Sequence, residues 1–300
     1  MLSRTADSLF WMSRYIERAE NTARLLDVQR QAVLLPGVFA EENTGYTQTL
    51  HDLVANTLNP SSIVSCIGSA RENCRTVRGT VNTDVWETVN ATWLELQSLL
   101  AADHWKKDPF ELFEWVKLRS HLFRGITIGT MLKDEAFHFM RLGTFIERAD
   151  STARILDAKF SLQERAGFAK GGADERTDYY YWASVLRSVS ALEIYRKVYR
   201  DVITRRRVAE LLIQRADMPR SLLACLNEVC VNLEQISDRS GTESQRVAGR
   251  LRADLQYLRI DDAFERGIHD FLEGFSEQIY ALGTRLCQEF SGARDEPLLA

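Results

Sequence analysis

Proline, cysteine and long apolar runs are all scarce in this chain, and each scarcity excludes a class of protein. Only 5 prolines and 5 cysteines occur among 300 residues, and no two cysteines form a Cys-x-x-Cys pair. Neither a disulfide-stapled secreted domain nor a zinc ribbon is therefore expected. No apolar run approaches the roughly 20 residues that a membrane span needs, and the first residues lack a secretion-signal pattern. Together these features predict a cytoplasmic protein with reduced thiols and no membrane segment.

Positive charge and β-strand patterns are also lacking. The formal net charge is −4, which argues against a nucleic-acid partner because binding to phosphates needs a basic surface. No run of strict apolar–polar alternation lies between hairpin turns. Apolar residues recur instead at spacings of three and four, which is typical of amphipathic helices. The sequence therefore predicts an all-α fold, a multi-helix bundle of about ten helices spread over eleven helical segments.

The few helix-breaking residues mark the predicted boundaries. Pro36 and Gly37 are predicted to end the first helix. The segment Ala166–Arg176 contains three glycines and is predicted to be a loop or hinge. It is either a domain boundary or a connection within one bundle, and the unchanged composition on its two sides favours the second. We therefore expect one domain over residues 1–300.

What the chain does contain is a repeat. Tyr15–Asp27 and Phe145–Asp157 lie on the predicted helices 4–34 and 133–165, and nine of their thirteen residues are identical at an offset of 130. Helices share apolar patterns by chance, but they rarely share identical polar residues. An internal duplication of the motif helix is the simplest explanation.

Helical geometry divides each copy into two faces. Small and apolar residues, such as Ala19 and Ala23, share one face, and the polar residues share the other. On the polar face, Glu20–Arg24 and Asp150–Arg154 are acid-to-base pairs four residues apart. Such pairs stabilise an exposed helix by a few tenths of a kcal/mol, so an exposed ion ladder accounts for them without any chemistry.

The Glu17-Arg18 and Glu147-Arg148 dipeptides are not explained in this way. Adjacent residues on a helix point about 100° apart, so each side chain needs a partner on another helix. The sequence predicts a partly buried network across helices, because unpaired buried charges are costly. Two interpretations stay open, a structural network and a binding site for a ligand or substrate.

The candidate site residues follow from this network. The arginines would hold a carboxylate or phosphate group. Either motif glutamate could act as a general base if its pKa were suitably shifted, so Glu17 and Glu147 are the catalytic candidates. The predicted binding residues are Glu17, Arg18, Arg24, Glu147, Arg148 and Arg154, together with Arg71, Arg75 and Arg78 on what is predicted to be one helix.

The sequence gives little support for a metal or cofactor of the chain's own. Glu135-x-x-His138 has the spacing of a di-iron carboxylate motif, but the second such motif that this site requires is missing. No Gly-x-x-x-x-Gly-Lys phosphate loop occurs either. We therefore predict no metal and no cofactor, and any nucleotide would belong to a partner.

Five polar stretches carry a resemblance to a known family. They are Met1–Glu20, Ala70–Arg78, Asp84–Asn90, Met140–Ala149 and Met218–Ser221. With these stretches the chain resembles the bacterial alpha-E domain family along essentially its whole length. That family is a helical domain named for its Glu-Arg motif.

The resemblance implies a set of partners. Members of the family commonly occur beside, or fused to, a circularly permuted ATP-grasp ligase, and near transglutaminase-like or proteasome-like peptidases. The resemblance therefore implies that the protein is the partner of an ATP-grasp amidoligase in ATP-dependent peptide or amide bond formation. The alternatives are an independent enzyme that uses a motif glutamate as general base, and a purely structural scaffold.

Overall fold

The computed structural model describes residues 3–33, 46–165, 175–236 and 241–290. These ranges contain thirteen α-helices, one short 3-10 turn at His104–Lys106 and no strand, which confirms the all-α prediction. The helices are α1 Ser3–Val33, α2 Tyr46–Val54, α3 Ile63–Thr76, α4 Thr83–Ala101, α5 Phe110–Thr130, α6 Glu135–Arg165, α7 Glu175–Ser188, α8 Leu192–Tyr199, α9 Arg205–Ile213, α10 Leu222–Ile236, α11 Glu243–Gln256, α12 Ile260–Arg266 and α13 Ile268–Phe290. None of them combines the length and the apolar character that crossing a bilayer requires.

The count exceeds the prediction because two predicted helices are each divided. The predicted helix 177–199 breaks into α7 and α8 around Ser190, whose φ is 55°, and the predicted helix 262–290 breaks into α12 and α13 at Gly267, whose φ is 101°. Positive φ values end a right-handed helix. The predicted helix end at Pro36 and most of the predicted hinge 166–176 lie outside the described residues.

The two motif helices, α1 and α6, pack directly against each other at the centre of the bundle. Their backbones come very close at Gly143, where a Cβ atom would lie 2.1 Å from the carbonyl oxygen of Phe10. Only a glycine permits backbones to come so close. The crossing fixes how the polar residues of one motif face those of the other.

Each motif helix carries its own set of neighbours. The α1 helix packs against α3 and α5, with α4 lying between those two, while α6 packs against α10 and α13, with α11 between them. The starts of α3 and α10 are also alike, Pro60-Ser61-Ser62 and Pro219-Arg220-Ser221, and in both the last serine accepts a backbone hydrogen bond from three residues on. The internal repeat thus extends from the motif helix to a four-helix unit.

The interpretation of Glu20 and Arg24 as an exposed ion ladder is wrong, whereas the burial of Glu17 agrees with the predicted partly buried network. Glu17 is 1% exposed and Glu20 is fully buried, because α5 and Arg220, just before α10, cover this side of α1. Ala19 and Ala23 on the other face pack into an apolar core shared with α3, α4 and α5. The first motif helix is therefore buried on both faces, which only a helix at the centre of a bundle can be.

Candidate functional site

The two Glu-Arg dipeptides form crossed, reciprocal ion pairs between α1 and α6. Arg148 donates from Nε and Nη2 to the two carboxylate oxygens of Glu17, at 2.9 Å each. Arg18 donates from the same two nitrogens to Glu147, at 2.6 and 3.0 Å. Each motif thus supplies the glutamate for the other's arginine, in the bidentate geometry that best suits a guanidinium and a carboxylate.

Glu17 has two further arginine partners. Arg124 on α5 donates to its Oε2 at 2.9 Å, and Arg220, just before α10, donates to its Oε1 at 3.0 Å. Arg220 reaches this position because Pro219 and the capping Ser221 place it at the start of α10. Helices from both halves of the molecule therefore converge on one carboxylate.

Glu20, one turn further along α1, joins the same cluster. It accepts hydrogen bonds from Arg220 at 2.6 Å, from the Ser120 hydroxyl at 2.7 Å and from Arg124. Its sequence neighbour Arg24 donates to it at 2.8 Å. The Glu20–Arg24 pair, predicted to be an exposed helix pair, is thus part of a buried cluster.

Glu147 has a smaller set of partners. Besides Arg18 it binds Arg14, whose Nε donates to its Oε2 at 2.8 Å. Arg14 also stacks over the Trp11 ring, with its guanidinium carbon 4.6 Å from the ring centroid. Both of these arginines come from α1, and among the described residues the second half of the molecule adds no arginine to Glu147.

The arginines keep the buried carboxylates ionised. Burial alone would raise the pKa of Glu17, but the charges of Arg148 and Arg220 outweigh it and hold the pKa at about 2. The pKa of Glu20 lies well below its ordinary value because Arg220, His121 and Arg124 outweigh its burial in the same way. These carboxylates are anions at any physiological pH.

Positive charge exceeds negative charge in this cluster. The cluster consists of six arginines and three glutamates, namely Arg14, Arg18, Arg24, Arg124, Arg148, Arg220, Glu17, Glu20 and Glu147. Six guanidiniums against three carboxylates leave a formal excess of three positive charges. Each guanidinium has five N–H donors and each carboxylate about four acceptor sites, so donors are also in excess. Burial lowers the pKa of Arg220, as expected where cations crowd together away from water.

Within the described part of the chain, the acidic side chains next to the cluster do not neutralise this excess, because each already has a cationic partner. Asp27 pairs with Lys117, Asp150 pairs with Arg154, and Glu228 pairs with Arg141. The neighbouring thiols of Cys66 and Cys225 are uncharged at neutral pH, since burial raises the pKa of each to about 12. The arrangement is therefore suited to attract one further anion.

Several predicted site residues lie away from the cluster. Arg154 is 63% exposed on its side chain and pairs with Asp150, as an exposed helix pair should. Arg71 bonds to Asn90 and Arg75 to Glu72. Arg78 lies past the end of α3 and stacks on Trp86, so the prediction that the three share one helix is wrong. Their hydrogen bonds within the described ranges do not reach the motif glutamates.

Four residues of the cluster were missed or set aside in the sequence. Glu20 was assigned to an exposed ladder, and Arg14 precedes the repeated motif. Arg220 belongs to Met218–Ser221, a stretch that was noticed for its resemblance but given no role. Arg124 has no local signal in the sequence, because only the packing of α5 against α1 brings it to Glu17.

The Glu135-x-x-His138 spacing does not form a metal site. His138 is buried, and its Nδ1 lies 2.8 Å from the side-chain oxygen of Asn232. Among the residues that the structure describes, no group of three or more His, Cys, Asp or Glu side chains is arranged to hold a metal ion.

Fold and cluster together define a class: an all-α domain whose two central helices exchange Glu–Arg pairs. The chain belongs to the Alpha-E family, described as a predicted alpha-helical domain with a conserved ER motif, and the family model matches residues 1–290. The Glu17-Arg18 and Glu147-Arg148 dipeptides, which pair across α1 and α6, fit that description.

Curated relatives include uncharacterized proteins of Mycobacterium tuberculosis and Mycobacterium bovis. Each is 25% identical over 284 aligned residues, which cover 80% of this chain and 30% of the relative. The chain thus spans about 30% of the length of these relatives. No solved structure matches the chain significantly.

Proposed function

We propose that this protein is a cytoplasmic, non-catalytic or co-catalytic partner of a circularly permuted ATP-grasp amidoligase in ATP-dependent peptide or amide bond formation. The central Glu–Arg cluster would stabilise the two-unit architecture and attract an anionic substrate group. The partner itself comes from the family resemblance, and the absence of disulfides among the five free cysteines agrees with the proposed compartment. Transglutaminase-like or proteasome-like peptidases would act in the same pathway.

The burial, the arginine partners and the low pKa of Glu17 favour an accessory role over an independent enzyme. A general base works best when its pKa lies near the operating pH. Glu17 is buried, bound by three arginines, and has a pKa of about 2. Such a carboxylate is a weak base with no free lone pair directed at a substrate, so it is suited to organising arginines rather than to taking a proton.

The relatives add a second line of support. In the mycobacterial proteins, the region similar to this chain makes up 30% of a longer chain. A domain that also occurs joined to a much longer sequence is one that works alongside other parts.

The test is to reconstitute the protein with the circularly permuted ATP-grasp ligase of the same genome. The measurement is ATP-dependent amide formation with and without this protein. The informative variant is Arg18→Lys, which keeps the charge but loses the bidentate bond to Glu147. Arg154→Lys is the matched control, since it is a motif arginine at an exposed position.

We expect wild-type protein to bind the ligase and raise its rate. Arg18→Lys should lower that rate with little change in melting temperature, while Arg154→Lys should change neither. A ligase that neither binds the protein nor changes rate would overturn the proposal. If the isolated protein turned over a substrate and Glu147→Gln abolished that turnover, the independent-enzyme hypothesis would replace it. Rate losses that only follow melting losses would favour the scaffold.

A further inference from the structure

The outer face of α5 is largely apolar, although this helix lies at the surface of the bundle. The exposed residues on this face, from position 118 to position 129, are Leu118, His121, Leu122, Gly125, Ile128 and Gly129. The leucines and the isoleucine among them are each 42–64% exposed. The inner face, with Phe113, Val116 and Phe123, packs into the apolar cores of the bundle. A helix that is apolar on both faces is normally covered on both, so the outer face of α5 is expected to have a partner.

Two glycines leave gaps in this outer face. Gly125 and Gly129 lie one turn apart, and a Cβ atom at either position would meet nothing within 4 Å outside the local backbone. A glycine within an exposed helix makes that helix less stable than an alanine would. Packing inside the described part of the chain does not require either of them. What the two glycines do permit is the close approach of another helix to the backbone of α5.

The order of large and small residues on this face is complementary to itself. Leu118, Leu122, Gly125 and Gly129 follow one another at spacings of four, three and four residues, which is the spacing of a coiled-coil seam. Consider a second α5 that runs antiparallel, related by a two-fold axis between positions 123 and 124. Leu118 of one copy then faces Gly129 of the other, and Leu122 likewise faces Gly125. Every leucine meets a gap, as a two-fold interface requires.

The charges at the ends of this face match the same antiparallel arrangement. Between positions 118 and 129 the exposed residues of α5 include no Asp, Glu, Lys or Arg, so the contact would desolvate none of these charges. Beyond the leucines, Glu114 of one copy would lie at about the level of Lys133 of the other. The Glu114 side chain is partly exposed and Lys133 is exposed. The two-fold axis repeats this pairing of opposite charges at both ends, where it would favour the correct register.

We propose that the outer face of α5 binds the same face of a second copy of this chain, in an antiparallel two-fold dimer. The leucines of each copy fill the gaps at the glycines of the other. The seam extends for only about 17 Å along the helix, so the contact is smaller than the roughly 800 Å² per partner of a standard interface. The dimer is therefore expected to be weak and dependent on concentration. It involves this chain alone and does not rest on the proposed function.

The first measurement is the mass of the isolated protein in solution, by analytical ultracentrifugation over a wide range of concentrations. The mass should rise from 34.3 kDa for one chain towards twice that value as the concentration increases. A chain that stays monomeric at the highest concentration would overturn the proposal and leave this face free for a helix of another protein. That result would not affect the partnership with the ligase, which is measured separately.

Leu122→Glu is the variant that tests the surface, and Leu162→Glu is its matched control. The two leucines are 42% and 43% exposed, and both lie on long helices, but only Leu122 is on α5. Leu122→Glu would bury an unpaired carboxylate from each copy near the two-fold axis and should weaken the dimer at least about a hundredfold. Leu162→Glu should leave the dimer unchanged, and both variants should fold. Equal weakening by the two would mean that net charge, and not this face, controls association.

Disulfide cross-linking tests the direction and register of the two helices. In the antiparallel dimer, position 118 of one copy faces position 129 of the other, within reach of a disulfide. Each position lies about 16 Å along the axis from its own counterpart. A mixture of Leu118→Cys and Gly129→Cys should therefore cross-link under mild oxidation, and each variant alone should not. Wild-type protein, with four of its five cysteines buried, gives the background. Cross-linking of each variant with itself but not in the mixed pair would indicate parallel helices and overturn the proposed arrangement.

Discussion

The two copies of the motif are close in sequence and unlike in surroundings. The first has its polar face covered by α5 and by Arg220, just before α10, so that Glu17 and Glu20 collect arginines from both halves of the molecule. In the second, Glu147 receives two arginines from α1 alone, and Arg154 is 63% exposed. Identical residues thus have different roles, because later helices decide which of them are buried.

The difference has an identifiable source in the sequence. In the alignment of the α3 and α10 starts, Arg220 takes the place of Ser61. In the alignment of the motif helices, Arg14 corresponds to Thr144. Each unit has therefore kept one arginine that the other lacks. The duplicated network became asymmetric, and the excess of positive charge lies on the side of Glu17.

The largest expected loss of stability comes from replacing the motif glutamates, and it should differ between Glu17 and Glu147. Glu17→Gln leaves three arginines without their common anion, two of them buried, whereas Glu147→Gln affects two, one of them partly exposed. Breaking a buried ion pair costs about 3–5 kcal/mol. We expect Glu17→Gln to lower the free energy of unfolding by about 5 kcal/mol and Glu147→Gln by about 3 kcal/mol, as measured by urea unfolding.

The control for this comparison is Glu72→Gln, which neutralises an exposed glutamate that is also paired with arginine. It should leave the unfolding free energy unchanged. Equal losses for the two motif glutamates would mean that the copies are energetically symmetric despite their different partners.

The next effect concerns acid. The pKa of Glu17 is about 2 in the folded protein and 4.5 in its ordinary state, so the unfolded chain takes up the proton first as the pH falls. The stability from this group is complete above about pH 4.5 and is lost towards pH 2, roughly 3 kcal/mol in all. Glu17→Gln should flatten the dependence of unfolding free energy on pH in this window.

A destabilised variant with its carboxylate intact is the control for that experiment. Leu9→Ala removes a fully buried side chain and costs about 2–5 kcal/mol through the cavity that it leaves. It should keep the acid slope of the wild type. If Leu9→Ala also flattened the dependence of unfolding free energy on pH, the effect would come from reduced stability in general rather than from Glu17.

A smaller difference is expected one turn further along each helix. Glu20→Gln removes a buried acceptor shared by Arg24, Arg124 and Arg220. Asp150→Asn affects only one exposed arginine. We expect a loss of about 2 kcal/mol for Glu20→Gln and about 0.5 kcal/mol for Asp150→Asn. Similar losses at the two positions would show that burial of Glu20 adds nothing to an ordinary helix pair.

These comparisons indicate what a sequence can and cannot predict here. The all-α class and the internal repeat followed from spacing and identity within one stretch of chain. Helix geometry predicted that Glu17-Arg18 and Glu147-Arg148 have partners on other helices, because neighbours cannot face each other, but it did not identify those partners. Arg124 and Arg220 could not be predicted, since their role depends on how distant helices pack.

Burial was the second quantity that local patterns did not provide. The pairs Glu20–Arg24 and Asp150–Arg154 are indistinguishable in spacing and order, yet one is buried and the other exposed. A helical pattern states which residues share a face but not whether another helix covers that face. The two divided helices differ in this respect, since Ser190 carries no helix-breaking signal whereas Gly267 is a glycine, the residue that most readily adopts a positive φ.

The smallest expected effect concerns Arg24 and Arg154, the last arginine of each motif. Arg24 donates to Glu20 and also contacts Ser190 and His121, while Arg154 contacts only Asp150 among the described residues. Arg24→Gln should cost about 1 kcal/mol and Arg154→Gln about 0.3 kcal/mol. Salt distinguishes the two pairs further. In 1 M salt the Debye length is about 3 Å, so the attraction between exposed charges is screened, whereas the attraction between buried charges is screened much less. In 1 M sodium chloride the loss for Arg154→Gln should vanish and that for Arg24→Gln should persist. If both losses vanished, the Arg24 pair would behave as an exposed ion pair, and the boundary of the buried cluster would lie at Glu20.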